Sequence, residues 1–296
     1  MTKVLIFGSN GLLGQNLNRK FVGEFSVFGA SNEDRNFIKN ANISYQKVDV
    51  ANRAQVKFII EDIEPQIIIN AAAYTNVDDA EKEREACWNV NVRGVENIIE
   101  SAAEFKPIFV QISTDYVFDG NEPPYRETDE PNPQGNYAQS KLAAEKVVQS
   151  GSLEYLIVRT QILFGHGNKI RPNFVTWLID ELQNGKKARI VNDQIGTPSY
   201  APDVAEAILQ LLQAEAYGLF HVSNPDSLSR HEFAMKIADI FQLDMQLIEE
   251  ITTQQLKQKS PRPMNSSFVI DKLVNYTNWE PNTIDKCLQL MKKELR

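Results

Sequence analysis

The segment NYAQSK, residues 136–141, sets Tyr137 four residues before Lys141 in a stretch with helical patterning. Side chains at i and i+4 share one helix face, so the ammonium would lie near the phenol oxygen. A neighbouring cation stabilises phenolate and lowers a phenol pKa that is ordinarily about 10, which suits the tyrosine to proton transfer near neutral pH. An exposed helix carrying an aromatic ring and a solvated lysine has the same spacing, so the pair takes its meaning from its surroundings.

A second chemical motif stands at the N-terminus. GSNGLLG (8–14) follows the apolar run KVLIF and precedes a helical pattern. Gly8, Gly11 and Gly14, spaced G-x-x-G-x-x-G around Ser9 and Asn10, permit a tight turn and a close backbone approach. Leu12 and Leu13 would open a helix whose free N–H groups and partial positive charge suit a pyrophosphate. This context points to dinucleotide binding. The next strand ends in SVFGASNEDR, with Ser31 and Asn32 where a carboxylate would hold the free 2′-hydroxyl of NAD and repel a 2′-phosphate. Its absence favours NADP(H) over NAD(H), with Ser31 and Arg35 as phosphate contacts, although Glu33 stands close by and opposes that choice.

Composition narrows the class. The 296-residue chain is 42% hydrophobic and 24% charged, and 39 acidic against 31 basic side chains give a net charge of −8. No block of like charge is long enough to form a nucleic-acid or membrane arm. Cys87 and Cys287 are far apart and form no C-x-x-C pair, and His166, His221 and His231 have no metal-ligand spacing, so no metal is expected. The opening apolar run is too short for a secretory signal, and no run is long enough to cross a bilayer. The expected compartment is the cytoplasm.

The elements that must position these motifs alternate. KVLIF (3–7), FSVFG (25–29), SYQKV (44–48), QIIIN (66–70), PIFVQIS (107–113) and YLIVR (155–159) have strand length, and amphipathic stretches at 12–21, 53–62, 79–104 and 137–149 lie between them. Such alternation predicts an α/β fold: a doubly wound, Rossmann-type parallel sheet with helices on both faces. After Arg159 the rhythm loosens. The expectation is a dinucleotide-binding domain over 1–160, to which the chain returns at about 201–224, and a smaller C-terminal substrate lobe built from 161–200 and 225–296.

Together with the glycine turn, VDV (48–50), NAAAYTNVDDAE (70–81), NVNVRG (89–94), STDYVFDG (113–120) and YAQSKLAAE (137–145) resemble the extended short-chain dehydrogenases. More narrowly they resemble the dTDP-4-dehydrorhamnose reductase family, and VNDQIGTPSY (191–200) and RPMNSS (262–267) extend the likeness over nearly the whole chain. The resemblance implies NADPH-dependent reduction of the C4 keto group of a nucleotide-linked 4-keto-6-deoxyhexose, most simply dTDP-4-dehydro-L-rhamnose. Tyr137 would give the proton to the C4 oxygen, Lys141 would bind the nicotinamide ribose and keep the tyrosine acidic, and Thr114 would hydrogen-bond the substrate oxygen or the phenol. Asp49 and Val50 match residues facing adenine, and Ala71, Ala72 and Ala73 match the segment flanking the cofactor. Asn91 matches an asparagine that steadies the lysine side of the site. Asp115, Asn173, Gln194 and Arg262 are the implied substrate contacts. A homodimer is common among such proteins.

One departure stands out. Many bacterial members read RTSWV after the sixth strand, where this chain reads RTQILFG, with Ile162 in place of the tryptophan that lies against the sugar. Two other functions share the fold. Dehydratases carry T-D-E where this chain has Thr114-Asp115-Tyr116, so dehydration lacks its second acid, whereas a 4-epimerase would use the same Tyr/Lys pair. The family is also similar to the regulatory beta subunit of methionine adenosyltransferase, a non-catalytic alternative.

Overall fold

The computed structural model describes residues 1–295. Its first half alternates strands and helices: β1 (Lys3–Phe7), α1 (Leu12–Phe21), β2 (Ser26–Ser31), β3 (Ile43–Lys47), α2 (Arg53–Ile63) and β4 (Ile67–Asn70), then α3 (Arg84–Trp88), α4 (Gly94–Ala102), β5 (Ile108–Thr114), α5 (Asn136–Ser150) and β6 (Tyr155–Thr160). Next come β7 (Leu163–Phe164), α6 (Phe174–Gln183), β8 (Ala188–Val191), β9 (Ile195–Gly196), β10 (Ser199–Tyr200), α7 (Ala201–Gln213) and β11 (Gly218–His221). The chain closes with β12 (Leu228–Ser229), α8 (Arg230–Phe241), β13 (Ile248–Ile251), α9 (Thr253–Leu256), α10 (Asp271–Thr277) and α11 (Ile284–Glu294).

Seven parallel strands form one sheet in the order β11-β6-β5-β4-β1-β2-β3. Strand periodicity explains why both faces are covered. Val4 and Ile6 of β1, with Ile67 and Ile69 of β4, point to one core shared with Leu13, Leu17 and Phe21 of α1 and Val204 and Ile208 of α7. Leu5 and Phe7, with Ile68, point to the other, filled by Ile59 and Ile60 of α2, Ile98 of α4 and Val148 of α5. The order reverses between β1 and β4, and the crevice beyond the strand ends at such a reversal is where this architecture binds ligands.

The long amphipathic stretch expected over 79–104 is not one helix. It divides into a 3₁₀ turn at Asp79–Glu81, α3, a π-helical turn at Asn89–Arg93 and α4. The widened turn lets Asn91 reach the Tyr74 backbone, accepting from its N–H at 2.8 Å and donating to its carbonyl at 3.2 Å.

The second lobe has its own core, in which Phe164, Val175, Leu178, Phe233, Ile237, Ile284 and Leu288 pack together. The chain returns to the main sheet through α7 and β11 and does so again at α10, whose Leu273 joins the α1/α7 core. Residues 225–296 are therefore not confined to the lobe. Sequence pattern missed this because Leu273 lies in a helix of seven residues, too short to show which core it serves. No helix among the described residues is long and apolar enough to cross a membrane.

Candidate active site

β5 delivers Thr114 to the sheet's C-terminal edge, and α5 starts beside it. The start of α5 is fixed from outside: Glu81 Oε1 accepts from the Asn136 N–H at 2.9 Å and from Ser260 Oγ at 2.9 Å, and Asn136 Nδ2 donates to the Ala80 carbonyl at 2.7 Å. Gly135 precedes it at φ +83, and a Cβ there would meet Ser260 Oγ at 2.7 Å and Glu81 Oε1 at 2.8 Å. These contacts place Tyr137 at the end of β5, where the Thr114 hydroxyl acts on its phenol and the Tyr116 ring lies edge-on at 6.1 Å.

The electrostatics differ from the expectation for an isolated i,i+4 pair. Lys141 is buried, and its Nζ donates to the Ile112 carbonyl at 2.6 Å. Burial pushes this ammonium down to about 8, with Glu145 acting against the shift. Burial holds the Tyr137 phenol well above its ordinary value, the Asp115 charge adds to the effect, and the Thr114 hydroxyl opposes it. The lysine charge is thus spent on a strand carbonyl, and the phenol keeps its proton tightly. Asp115 is buried too, accepting from Ser266 Oγ at 2.6 Å and Thr114 Oγ1 at 3.1 Å, and burial raises its carboxyl to about 6.

The glycine turn is built for close approach. Gly8 has φ +74, and a Cβ on it would lie 2.5 Å from the Ala72 nitrogen; one on Gly14 would lie 2.1 Å from the Gly8 carbonyl oxygen. Ala71 and Ala72 therefore run directly beside the turn, and Ala73 follows them. Gly11 is the N-cap of α1 and makes no side-chain cap, and the first turn carries no acid, which fits the helix end to a dinucleotide phosphate. Side chains in the motif serve other ends. Leu13 is in the core, Ser9 is buried, and Asn10 turns away to donate to Ser31 Oγ (3.0 Å), the Arg35 carbonyl (2.9 Å) and Tyr45 Oη (3.2 Å).

Ser31 is therefore not a free phosphate ligand. The residue is 8% exposed, and its hydroxyl is already bonded to Asn10 and to Tyr45, at 2.8 Å to the latter. Tyr45, on β3, was invisible to a reading of the strand end alone, and Arg35 is the exposed cation left beside that pocket. Asp49 is exposed, its carboxylate accepting from the Ala51 N–H, whereas Val50 is buried against Gly94. Asn91 does not reach Lys141; it donates to Ser140 Oγ at 2.9 Å and so braces the residue before it.

The second lobe supplies the opposite wall. Arg262 ion-pairs with Asp78 at 3.1 Å, donates to the Ser260 carbonyl at 2.8 Å, and sets its guanidinium 5.9 Å from the Tyr116 ring centre. Arg230 approaches the same group, since its charge acts on both Asp115 and Tyr116, and its guanidinium lies 5.6 Å from the Phe174 ring centre. Sequence reading passed over Arg230. The available signal was its place at the first position of α8, where the helix dipole disfavours a cation. Asn173 and Gln194 are not drawn in directly. Asn173 caps α6 and donates to the Gly165 carbonyl, and Gln194 ties β9 to Thr253 (3.0 Å) and Gln258 (2.6 Å) while its carbonyl accepts from the Arg230 N–H. Ile162 stands at φ +41, a left-handed conformation unusual for a β-branched residue, where the chain leaves the sheet for the lobe.

A family model described as the RmlD substrate binding domain matches residues 1–296. The chain is 32% identical to a dTDP-4-dehydrorhamnose reductase of Aggregatibacter actinomycetemcomitans, with 98% of each chain covered. It is 31% identical to the methionine adenosyltransferase 2 subunit beta of Xenopus tropicalis, over 92% of this chain and 81% of that one. Among solved structures, the dTDP-4-dehydrorhamnose reductase of Bacillus anthracis in complex with NADP superimposes with a TM-score of 0.88 at 32% identity, covering 99% of this chain and 100% of that one.

Proposed function

We propose that this chain, which belongs to the RmlD substrate binding domain family, reduces the C4 keto group of a nucleotide-linked 4-keto-6-deoxyhexose, converting dTDP-4-dehydro-L-rhamnose to dTDP-L-rhamnose. It is an NAD(P)H-dependent oxidoreductase, with NADP(H) preferred over NAD(H) as its cofactor. The observation that carries the finer reading is the convergence of Thr114, Tyr137 and Lys141 where β5 ends and α5 begins.

Bound NADPH supplies the hydride to C4. Tyr137 supplies the proton to the C4 oxygen. A phenol whose pKa is held high stays protonated throughout the neutral range, and it can still protonate the more basic alkoxide that forms as the carbonyl is reduced. Thr114 orients the phenol and the carbonyl oxygen. Lys141 contributes positive charge beneath them and a donor for the nicotinamide ribose. Arg230 and Arg262 suit the sugar nucleotide's diphosphate, which needs local cations in a chain of net charge −8. Tyr116, standing where elimination would need a second acid, weighs against dehydration.

The methionine adenosyltransferase relative keeps a regulatory role in view, because its identity nearly equals that of the reductase. One assay separates them. dTDP-, UDP- and GDP-linked 4-keto sugars are offered with NADPH and NADH in parallel, and loss of reduced-nicotinamide absorbance is followed. Stoichiometric NADPH consumption with the dTDP sugar is the expected result. Silence across the panel would overturn the substrate reading and turn attention to a protein partner.

A further inference from the structure

The face of α5 that carries Tyr137 and Lys141 continues to Glu145, at i+8 from the tyrosine. Each of these residues meets a different residue of the last three in β5. Lys141 Nζ donates to the Ile112 carbonyl, Ser113 Oγ donates to Glu145 Oε1, and the Thr114 hydroxyl acts on the Tyr137 phenol. Glu145 is 1% exposed and is gripped from β6 by Arg159, which donates from Nε to Oε1 at 3.0 Å and from Nη2 to Oε2 at 2.7 Å. Arg159 is the Cα partner of Ser113 across the sheet, so one carboxylate clasps helix α5 to two strands beneath the reacting groups.

Packing alone does not call for this arrangement. A buried ion pair loses much of its attraction to desolvation, and apolar side chains of similar volume would hold helix to strand about as well. What apolar residues could not supply is a fixed negative charge one helical turn from Lys141. The other groups facing that ammonium do not supply it. Tyr137 keeps its proton, the Cys87 thiol on α3 is pushed up by burial, and Glu81 is engaged with Asn136 and Ser260. Asp115, in the turn after β5, accepts from Thr114 and Ser266; Arg84 on α3 donates to Asn136; Arg93 in the π turn pairs with Glu96 on α4. Glu145 is the main influence favouring the charged lysine.

We propose that Glu145, clamped by Arg159 and Ser113, is a positioning residue for the reduction: it holds the end of β5 in register with Tyr137 and provides the counter-charge for the Lys141 ammonium. This rests on the reading of Tyr137 and Lys141 given above.

The test is the pH dependence of NADPH oxidation with dTDP-4-dehydro-L-rhamnose, measured on full-length wild type, Glu145→Gln, Glu145→Asp and the double variant Glu145→Met/Arg159→Met. Activity that needs a charged Lys141 is lost as pH rises through the lysine's pKa. Removing the carboxylate lowers that pKa, so the alkaline limb should move to lower pH by about one unit in Glu145→Gln. Glu145→Asp keeps the charge and should leave the limb in place. The double variant does not strand the Arg159 guanidinium against a missing carboxylate, so it tests the same shift should Glu145→Gln fail to fold. Turnover in the folded variants lacking the carboxylate should fall about tenfold or more, with the KM for NADPH little changed. An unmoved limb in a folded variant without the carboxylate would overturn the proposal even if turnover fell, because packing loss alone predicts that result. Tyr137→Phe run alongside separates the two readings: if it retains turnover, the active-site assignment fails, whereas an inactive Tyr137→Phe with an unmoved Glu145→Gln limb sinks only the role of Glu145.

Discussion

Lys141→Met should make the protein more stable while disabling it. The lysine is 3% exposed, and its ammonium is pushed from 10.5 to about 8 by burial. That displacement of about 2.5 units, at about 1.4 kcal/mol per unit, makes the buried charge a liability of about 3 kcal/mol at pH 7. The sign follows from the depressed value. Below pH 8 both folded and unfolded chains carry the proton and the full cost is present; between 8 and 10.5 the folded protein gives the proton up while the unfolded chain keeps it, so the cost fades as pH rises. Methionine fills similar space without charge but leaves the Ile112 carbonyl without its donor, which costs about 1–2 kcal/mol. The balance at pH 7 is a gain of about 1–2 kcal/mol, or a Tm higher by about 2–6 °C. Turnover should fall on the order of 10² or more. Thermal unfolding of wild type and variant at pH 7 and pH 10 measures this, and the advantage should shrink or reverse at the higher pH. A lower Tm for Lys141→Met at pH 7, or a difference that does not change with pH, would refute the reasoning.

Tyr137→Phe removes the proposed proton donor but keeps nearly all of the ring's contacts; turnover should drop on the order of 10² to 10⁴, with folding and the NADPH dissociation constant near wild type, measured by steady-state kinetics and nicotinamide fluorescence titration. Gly14→Ala drives a Cβ to 2.1 Å from the Gly8 carbonyl oxygen, so the turn must open; a loss of about 1–3 kcal/mol in denaturant titration and weaker NADPH binding are expected. Ser31→Asp can still accept from Asn10 while placing a carboxylate at the proposed ribose pocket, so the NADPH/NADH preference should fall roughly tenfold or more. An unchanged ratio would move that pocket to Arg35 and its neighbours.

Much of the fold was open to a reading of the chain because its determinants are local. VLIF within KVLIF and III within QIIIN are unbroken apolar runs, as a strand buried on both faces requires, and the glycines at 8 and 14 are imposed by contacts within the turn and with the adjacent strand end. The Tyr137–Lys141 spacing likewise depends only on helix geometry. Where the pattern was not local, it misled. The 79–104 stretch has helical periodicity throughout, yet the Asn91–Tyr74 bonds accompany a widened turn in its middle.

The sequence by itself determined the alternation of strands and helices, the dinucleotide turn and the residue types able to move a proton, because periodicity, backbone freedom and side-chain chemistry are properties of short segments. Tertiary structure alone decided what those residues do with their charge. Lys141 meets the carbonyl of Ile112, 29 residues away, and not the phenol one turn before it; Ser31 is claimed by Asn10 and Tyr45; Arg230 arrives beside Asp115 from a helix more than a hundred residues further along. A pKa depends on which dipoles and charges surround a group and on how much water is excluded, and those neighbours come together only when distant segments pack.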